Sequence, residues 1–118
     1  MINVFVYGSL KRGYWNHSLI SGYMCTEAKT RDSRFTMVNL GAYPAVLNEG
    51  NNYIYGELYR NVSEDVMRNL DDLEGYPFFY NRMKVKLDSN DVAWMYFLED
   101  REQYLEYEVL VSGEWSSN

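Results

Sequence analysis

Cysteine and histidine occur once each in 118 residues, as Cys25 and His17. One thiol excludes an internal disulfide and a cysteine-built metal site, and it fits a reducing compartment. The lone histidine has no Cys, Asp or Glu beside it at ligand spacing, so it reads as a surface or capping residue and no metal is expected. Basic residues are few: 11 Lys and Arg stand against 17 Asp and Glu, for a net charge of −6, with no basic cluster. Phosphate binding depends on Lys and Arg density, so nucleic acid is not the expected partner. No apolar run is long enough to cross a bilayer. Met1 leads almost directly into a strand-like segment, without the charged-then-apolar pattern of a signal peptide. A soluble, cytoplasmic protein with no membrane partner is expected. Repeats, linkers and low-complexity runs are also missing, and the length suits one domain over 1–118 with one core.

What is present is apolar and aromatic. Apolar types make up 47% of the chain and tyrosine alone occurs 12 times, which argues for a packed core and against disorder. Ile2-Asn3-Val4-Phe5-Val6-Tyr7 is β-branched and aromatic and stops at Gly8-Ser9, a strand running into a tight loop. Lys11 to His17 is polar and irregular, and Ser18 to Glu27 suggests a short helical turn and then a strand. Arg34 to Val38 reads as a strand, Gly41 to Pro44 as a turn, and Ala45-Val46-Leu47 as a short extended piece. Glu49-Gly50-Asn51-Asn52 looks like a hairpin-type turn into a strand over Tyr53 to Tyr59. Tyr80 to Leu87 and Val92 to Leu98 form a hairpin around Asp88 to Asp91. The tail from Glu99 to Glu108 suggests a short helix. The expected fold is α+β: a compact, mixed, strongly curved or barrel-like sheet, one main helix at about 63–74, and short flanking helical turns.

That helix carries the clearest pattern. Ser63 is a good N-cap, Glu64 and Asp65 sit where the dipole favours negative charge, and Gly75 and Pro77 stop the helix. Val66, Met67, Leu70, Leu73 and Glu74 share one stripe; Arg68, Asn69, Asp71 and Asp72 fall outside it, and Asp72 is placed to pair with Arg68 on the wet side. Glu74 therefore travels with the apolar face and sits at the helix C-terminus. Partial burial and the dipole both raise its pKa, which makes it a candidate general base and acid. The helix alone favours an edge-of-core Glu whose head reaches water or caps a neighbouring strand. Elsewhere, Ser9 lacks the flanking pattern of a nucleophile elbow. Its loop offers N–H groups that could converge on an anion or carbonyl, or it is only a turn. Cys25 and His17 are conceivable as a Cys–His pair, but Cys25 lies in an ordinary run and reads as a packed thiol. Tyr55, Tyr59, Tyr80 and Tyr96 read as packing residues with polar tips.

Taken in order, these segments resemble the gamma-glutamylcyclotransferase-like family. The resemblance is carried by Tyr7-Gly8-Ser9-Leu10 with Arg12-Gly13 and Asn16, by Tyr43-Pro44-Ala45-Val46, and by Gly56-Glu57-Leu58-Tyr59. It continues through Leu70-Asp71-Asp72-Leu73-Glu74-Gly75-Tyr76-Pro77 with Tyr80 and Arg82, then Ala93-Trp94-Met95-Tyr96 and Ser112-Gly113-Glu114-Trp115. The short chain is more similar to the gamma-glutamylamine branch than to the longer glutathione-pathway enzymes. The resemblance implies a compact mixed barrel with a cavity and a small-molecule γ-glutamyl substrate. Its glutamyl part would be bound by the Tyr7, Gly8, Ser9 and Leu10 loop and by Tyr80, with Tyr43 and Arg82 as secondary candidates. Glu74 would be the catalytic acid and base, and no cofactor or metal would be required. The α-amine of a γ-glutamyl amide would attack its own γ-carbonyl, releasing 5-oxoproline and an amine. The competing expectations are a non-catalytic small-molecule-binding module and a protein-interaction module on the same fold.

Overall fold

The computed structural model describes residues 2–100, 102–104 and 106–116. Strand β1 (Ile2–Val6) lies at the centre, and alternate side chains feed two separate clusters. Val4 and Val6 join one together with Tyr59, Val62, Met67 and Leu70. Phe5 and Tyr7 join the other with Met37, Leu58, Val85 and Met95. A strand with both faces covered needs a continuous apolar run rather than alternation, which is what Val4-Phe5-Val6 supplies.

The remaining elements are β2 (Cys25–Lys29), β3 (Phe35–Asn39), β4 (Pro44–Asn52), β5 (Tyr55–Val62), helix α1 (Glu64–Glu74), β6 (Asn81–Lys86), β7 (Val92–Phe97) and β8 (Glu108–Val109). Five strands form one mixed sheet in the order β2-β5-β1-β7-β6, and three form a second in the order β4-β3-β8. Neighbours are antiparallel except β1 and β7, where Val4 lies opposite Trp94 in a parallel pair. Single bridges tack the edges together: Thr30 to Leu87 between the outer strands of the large sheet, and Leu47 to Leu98 between the sheets. The fold is thus mixed α+β with strongly curved sheets, not closed by a continuous ladder. One-turn 3-10 helices, His17–Leu19 and Glu102–Tyr104, supply the short flanking turns. The helix expected over Glu99 to Glu108 shrinks to the second of these and gives way to β8; Arg101 and Leu105 in that stretch lie outside the described residues.

The expected hairpin turn at Glu49–Asn52 is corrected. β4 continues through it and pairs back onto β3, with a register break that sets Thr36 opposite Leu47 but Phe35 opposite Asn52. Thr36 Oγ1 donates to the Glu49 carbonyl at 2.7 Å and holds the bulged segment. The chain then crosses to the other sheet at Ile54, which is fully buried. Thr30 grips Ile54 on both sides: its N–H donates to the Ile54 carbonyl at 2.9 Å, and its hydroxyl accepts from the Ile54 N–H at 3.0 Å.

Helix α1 begins and ends as expected. Ser63 Oγ accepts from Val66 N–H at 3.1 Å. Gly75 takes φ 66°, the left-handed C-cap that a side chain would disfavour. Met67 and Leu70 are buried, each contributing roughly 1.5–3 kcal/mol by loss of apolar surface to water. The surface pairing differs from expectation: Arg68 pairs with Asp65 within the first turns, not with Asp72. Asp71 is not simply on the wet face. Its Oδ1 accepts from the Tyr96 hydroxyl at 2.6 Å and lies 3.2 Å from Arg82 Nε, because β6 and β7 pass beside the last turn of α1.

Candidate active site

β1 carries Tyr7 out of the sheet into a tightly wound loop. Lys11 N–H donates to the Gly8 carbonyl at 3.0 Å, and Asn16 N–H to the Ser9 carbonyl at 2.8 Å. Asn16 Nδ2 adds a bond to Ser9 Oγ at 2.9 Å. A side chain at position 8 would come within 3.0 Å of the Pro44 ring, so glycine lets the loop lie directly against the start of β4. The carbonyls are thus used, while the N–H groups of Gly8, Ser9 and Leu10 find no acceptor among the described residues.

Beneath the loop, Glu57 on β5 is buried and fully engaged. It accepts from Arg12 N–H at 2.8 Å and from the Tyr59 hydroxyl at 3.0 Å, and it faces the Arg12 guanidinium at 3.5 Å. His17 Nδ1 lies 3.0 Å from the Leu10 carbonyl and 3.3 Å from the Tyr59 oxygen. His17 is therefore a brace for this loop. Cys25 sits opposite Tyr59 in the β2–β5 ladder, half-buried. Neither residue lines the cavity described next.

The Tyr7–Leu10 loop, the C-terminal end of α1 and the Ala42–Pro44 turn enclose a cavity of about 570 Å³. Tyr7, Gly8, Ser9, Leu10, Tyr43, Glu74 and Tyr80 all line it. Of the residues that the family resemblance assigns to the site, only Arg82 does not. Its guanidinium is sandwiched between the rings of Tyr76 and Trp94, 4.5 Å from each, and its charge is directed at Asp71.

Glu74 is the only charged side chain among the described lining residues. Its carboxyl has no ion-pair or hydrogen-bond partner among them, and burial pushes it from 4.5 up to about 7. Three tyrosines surround it, but each spends its one hydroxyl proton elsewhere. Tyr7 donates to the Tyr96 carbonyl at 2.8 Å, Tyr80 to the Pro44 carbonyl at 2.8 Å, and Tyr96 to Asp71. Burial, and then the nearby Glu74 carboxylate, raises Tyr7 well above the ordinary tyrosine value. Tyr80 is raised first by burial too. These phenols are therefore neutral at physiological pH, and Glu74 is the group able to change protonation near neutrality.

Sequence reading missed two sets of residues. Asp71 reads from the sequence only as lying outside the apolar stripe, because helical periodicity says nothing of β6 and β7 arriving beside it. Trp15, Leu73 and Phe79 also line the cavity, at 92%, 41% and 44% exposed. The available signal was a tryptophan in an otherwise polar, irregular stretch.

A backbone loop and an unpaired carboxyl facing one largely apolar cavity define a small-molecule site with acid–base capacity. The model of the family described as gamma-glutamyl cyclotransferase, AIG2-like, matches residues 4–117. A Methanocaldococcus jannaschii protein with the provisional name gamma-glutamylcyclotransferase is 42% identical over 100 residues, covering 80% of this chain and 82% of that one. Gamma-glutamylaminecyclotransferase A of Danio rerio is 33% identical over 95 residues, covering 73% of this chain and 58% of that protein. A crystal structure of an AIG2-like protein from Mus musculus superposes with a TM-score of 0.79 at 25% identity, over 98% of this chain and 88% of the other. The chain belongs to the gamma-glutamyl cyclotransferase, AIG2-like family.

Proposed function

We propose that this protein converts a γ-glutamyl amine into 5-oxoproline and the free amine, with Glu74 as general base and then general acid. The observation that carries the reading is a half-buried carboxyl without partners among the described residues, placed on the same cavity as the unclaimed N–H groups of the 8–10 loop. The loop N–H groups and the Tyr80 side of the cavity hold the glutamyl part.

The substrate arrives as an α-ammonium whose ordinary pKa is near ~8. Glu74, as carboxylate, accepts one proton. The freed amine then attacks the γ-carbonyl carbon, forming the ring C–N bond and moving the carbonyl electron pair onto oxygen. Backbone N–H groups of Gly8 to Leu10 stabilise that oxyanion. Glu74 returns its proton to the leaving nitrogen as the original amide C–N bond breaks and the ring carbonyl reforms. The ring nitrogen then gives up its second proton through Glu74 to the released amine, which departs as an ammonium and leaves Glu74 ionised again. All bonds made and broken belong to the substrate, so the scheme calls on no protein nucleophile, cofactor or metal. Holding the chain folded for ring closure contributes through effective molarities of ~10⁵–10⁸ M, and proton transfer adds ~10²–10⁴-fold.

The test is incubation with a panel of γ-glutamyl amines, measuring 5-oxoproline and the released amine in equal amounts. Turnover that Glu74→Gln removes in a folded protein supports the reading. Substrate binding without product leaves a binding module on this fold.

A further inference from the structure

The cavity has two ends of different character. At the inner end Tyr7, Leu10, Tyr80 and Tyr96 are all at most 6% exposed, and Glu74 supplies the charge. At the outer end stand Trp15, Tyr43, Leu73 and Phe79, between 38% and 92% exposed. A cavity of about 570 Å³ falls in the range that holds drug-sized ligands and exceeds what a glutamyl group alone requires.

The outer end is organised. Trp15 sits within a hydrogen-bonded turn, flanked by Tyr14 N–H to the Lys11 carbonyl at 3.0 Å and Asn16 N–H to the Ser9 carbonyl. Phe79 packs edge-on against Tyr43 at 6.5 Å and against Tyr80 at 4.9 Å. The turn fixes the backbone that presents the Trp15 indole, and exposed apolar residues gathered at one mouth mark binding surfaces.

Charge narrows the occupant. Among the described lining residues no cation is present, so a leaving group with a carboxylate, such as an amino acid, finds no counter-charge. Lys11 is not part of the lining, and its ammonium is engaged by two residues that are: it donates to the Trp115 carbonyl at 2.6 Å and sits 4.8 Å from the centre of the Tyr14 ring. The one acid, Glu74, is committed to the glutamyl amine, so a polyamine finds no second carboxylate.

We propose that the Trp15, Tyr43, Leu73 and Phe79 rim is the subsite for the leaving group, and that it selects a neutral, apolar amine of the arylalkyl class. This rests on the cyclisation proposed above for the inner end. The amine nitrogen is uncharged while it is part of the amide, so an arylalkyl group enters the rim with no ion to desolvate.

The test compares γ-glutamyl amides of phenethylamine, methylamine, glycine and spermidine. The phenethylamide is expected to exceed each of the others at least tenfold in kcat/KM, mainly through KM. Trp15→Ala and Phe79→Ala should each narrow the gap between phenethylamide and methylamide by about tenfold, the scale of a lost apolar pocket contact. Equal rates, or preference for the glycine or spermidine amide, overturn the subsite while leaving the cyclisation intact. If no amide is turned over, the cyclisation fails and calorimetry on the wild-type protein decides the subsite. Tighter binding of phenethylamide than methylamide, lost in Trp15→Ala, supports it; equal affinity overturns it.

Discussion

Glu57 and Glu74 are both drawn back from solvent, and their surroundings differ. Glu57 lies under the loop and receives an N–H from Arg12, the Arg12 guanidinium and the Tyr59 hydroxyl. Glu74 lies on the cavity and receives nothing from the described residues; the tyrosine hydroxyls around it are bonded elsewhere. Burial with partners makes a charge structural, because each bond offsets desolvation and removing the charge orphans its donors. Burial without partners leaves a charge that is destabilised at neutral pH and ready to take a proton. The same residue type thus braces the loop in one place and is proposed to work the chemistry in the other.

The largest expected effect of breaking this contrast is on turnover. Glu74→Gln should lower kcat by ~10²–10⁴-fold while the thermal midpoint holds or rises. A variant that unfolds, or keeps near-normal rate, would move Glu74 into the class of Glu57.

The second expectation is a pH profile. The base must be ionised, so kcat/KM should fall about tenfold per pH unit below a midpoint near 7, set by Glu74. Stability carries the opposite signature. The folded-state pKa lies above the unfolded one, so the folded protein holds the extra proton between about 4.5 and 7. Stability is therefore lost as pH rises through that window, by on the order of 1–3 kcal/mol at pH 8. Denaturant titrations at pH 5 and 8 on wild type and Glu74→Gln check it: the variant should lose less stability than wild type on going to pH 8.

Third, Glu57→Ala should destabilise by roughly 1–3 kcal/mol, since Arg12 N–H and Tyr59 OH lose their acceptor. Tyr59→Phe should cost less, because Glu57 keeps its Arg12 bonds. If instead Glu57→Ala leaves the thermal midpoint unchanged, the buried cluster is not what holds the loop.

The smallest effects separate the neighbouring helix acids. Asp71→Asn should slow turnover a few-fold by weakening the hold on Tyr96 and Arg82. Asp72→Asn, on an exposed face, should stay within about 0.5 kcal/mol and near wild-type rate. Equal responses would show that general acidity of this helix matters more than the geometry of Asp71.

Local signals were legible where local chemistry decides. Ser63, the acidic first turn and Gly75 delimit α1 because capping depends on residues within one turn of each end. The apolar run Val4-Phe5-Val6 announces a buried strand for the same reason. The hairpin turn expected at Glu49–Asn52 was misread because Gly and Asn suit a bulge as well as a reversal, and only the pairing of β4 with β3 distinguishes them. The partners of Asp71 were not legible, because helical periodicity defines a stripe, whereas the partner elements decide how wide the covered face is. Leu73 shows the converse: it belongs to the apolar stripe yet is 41% exposed and lines the cavity.

By itself, the sequence determined the class of fold, the single strong helix with its limits, the presence of only one cysteine and one histidine, and the run of motifs that marks the family. It also put Glu74 on the apolar side of α1. The tertiary structure alone decided that Glu74 has no partner among the described residues, that Glu57 has three, and that Tyr7–Leu10 and Glu74 face one cavity across a long separation in the chain. The physical reason is that burial and hydrogen bonding depend on what the other elements bring. Here β1, β5 and β7 arrive from distant parts of the chain and settle which hydroxyls are already spent.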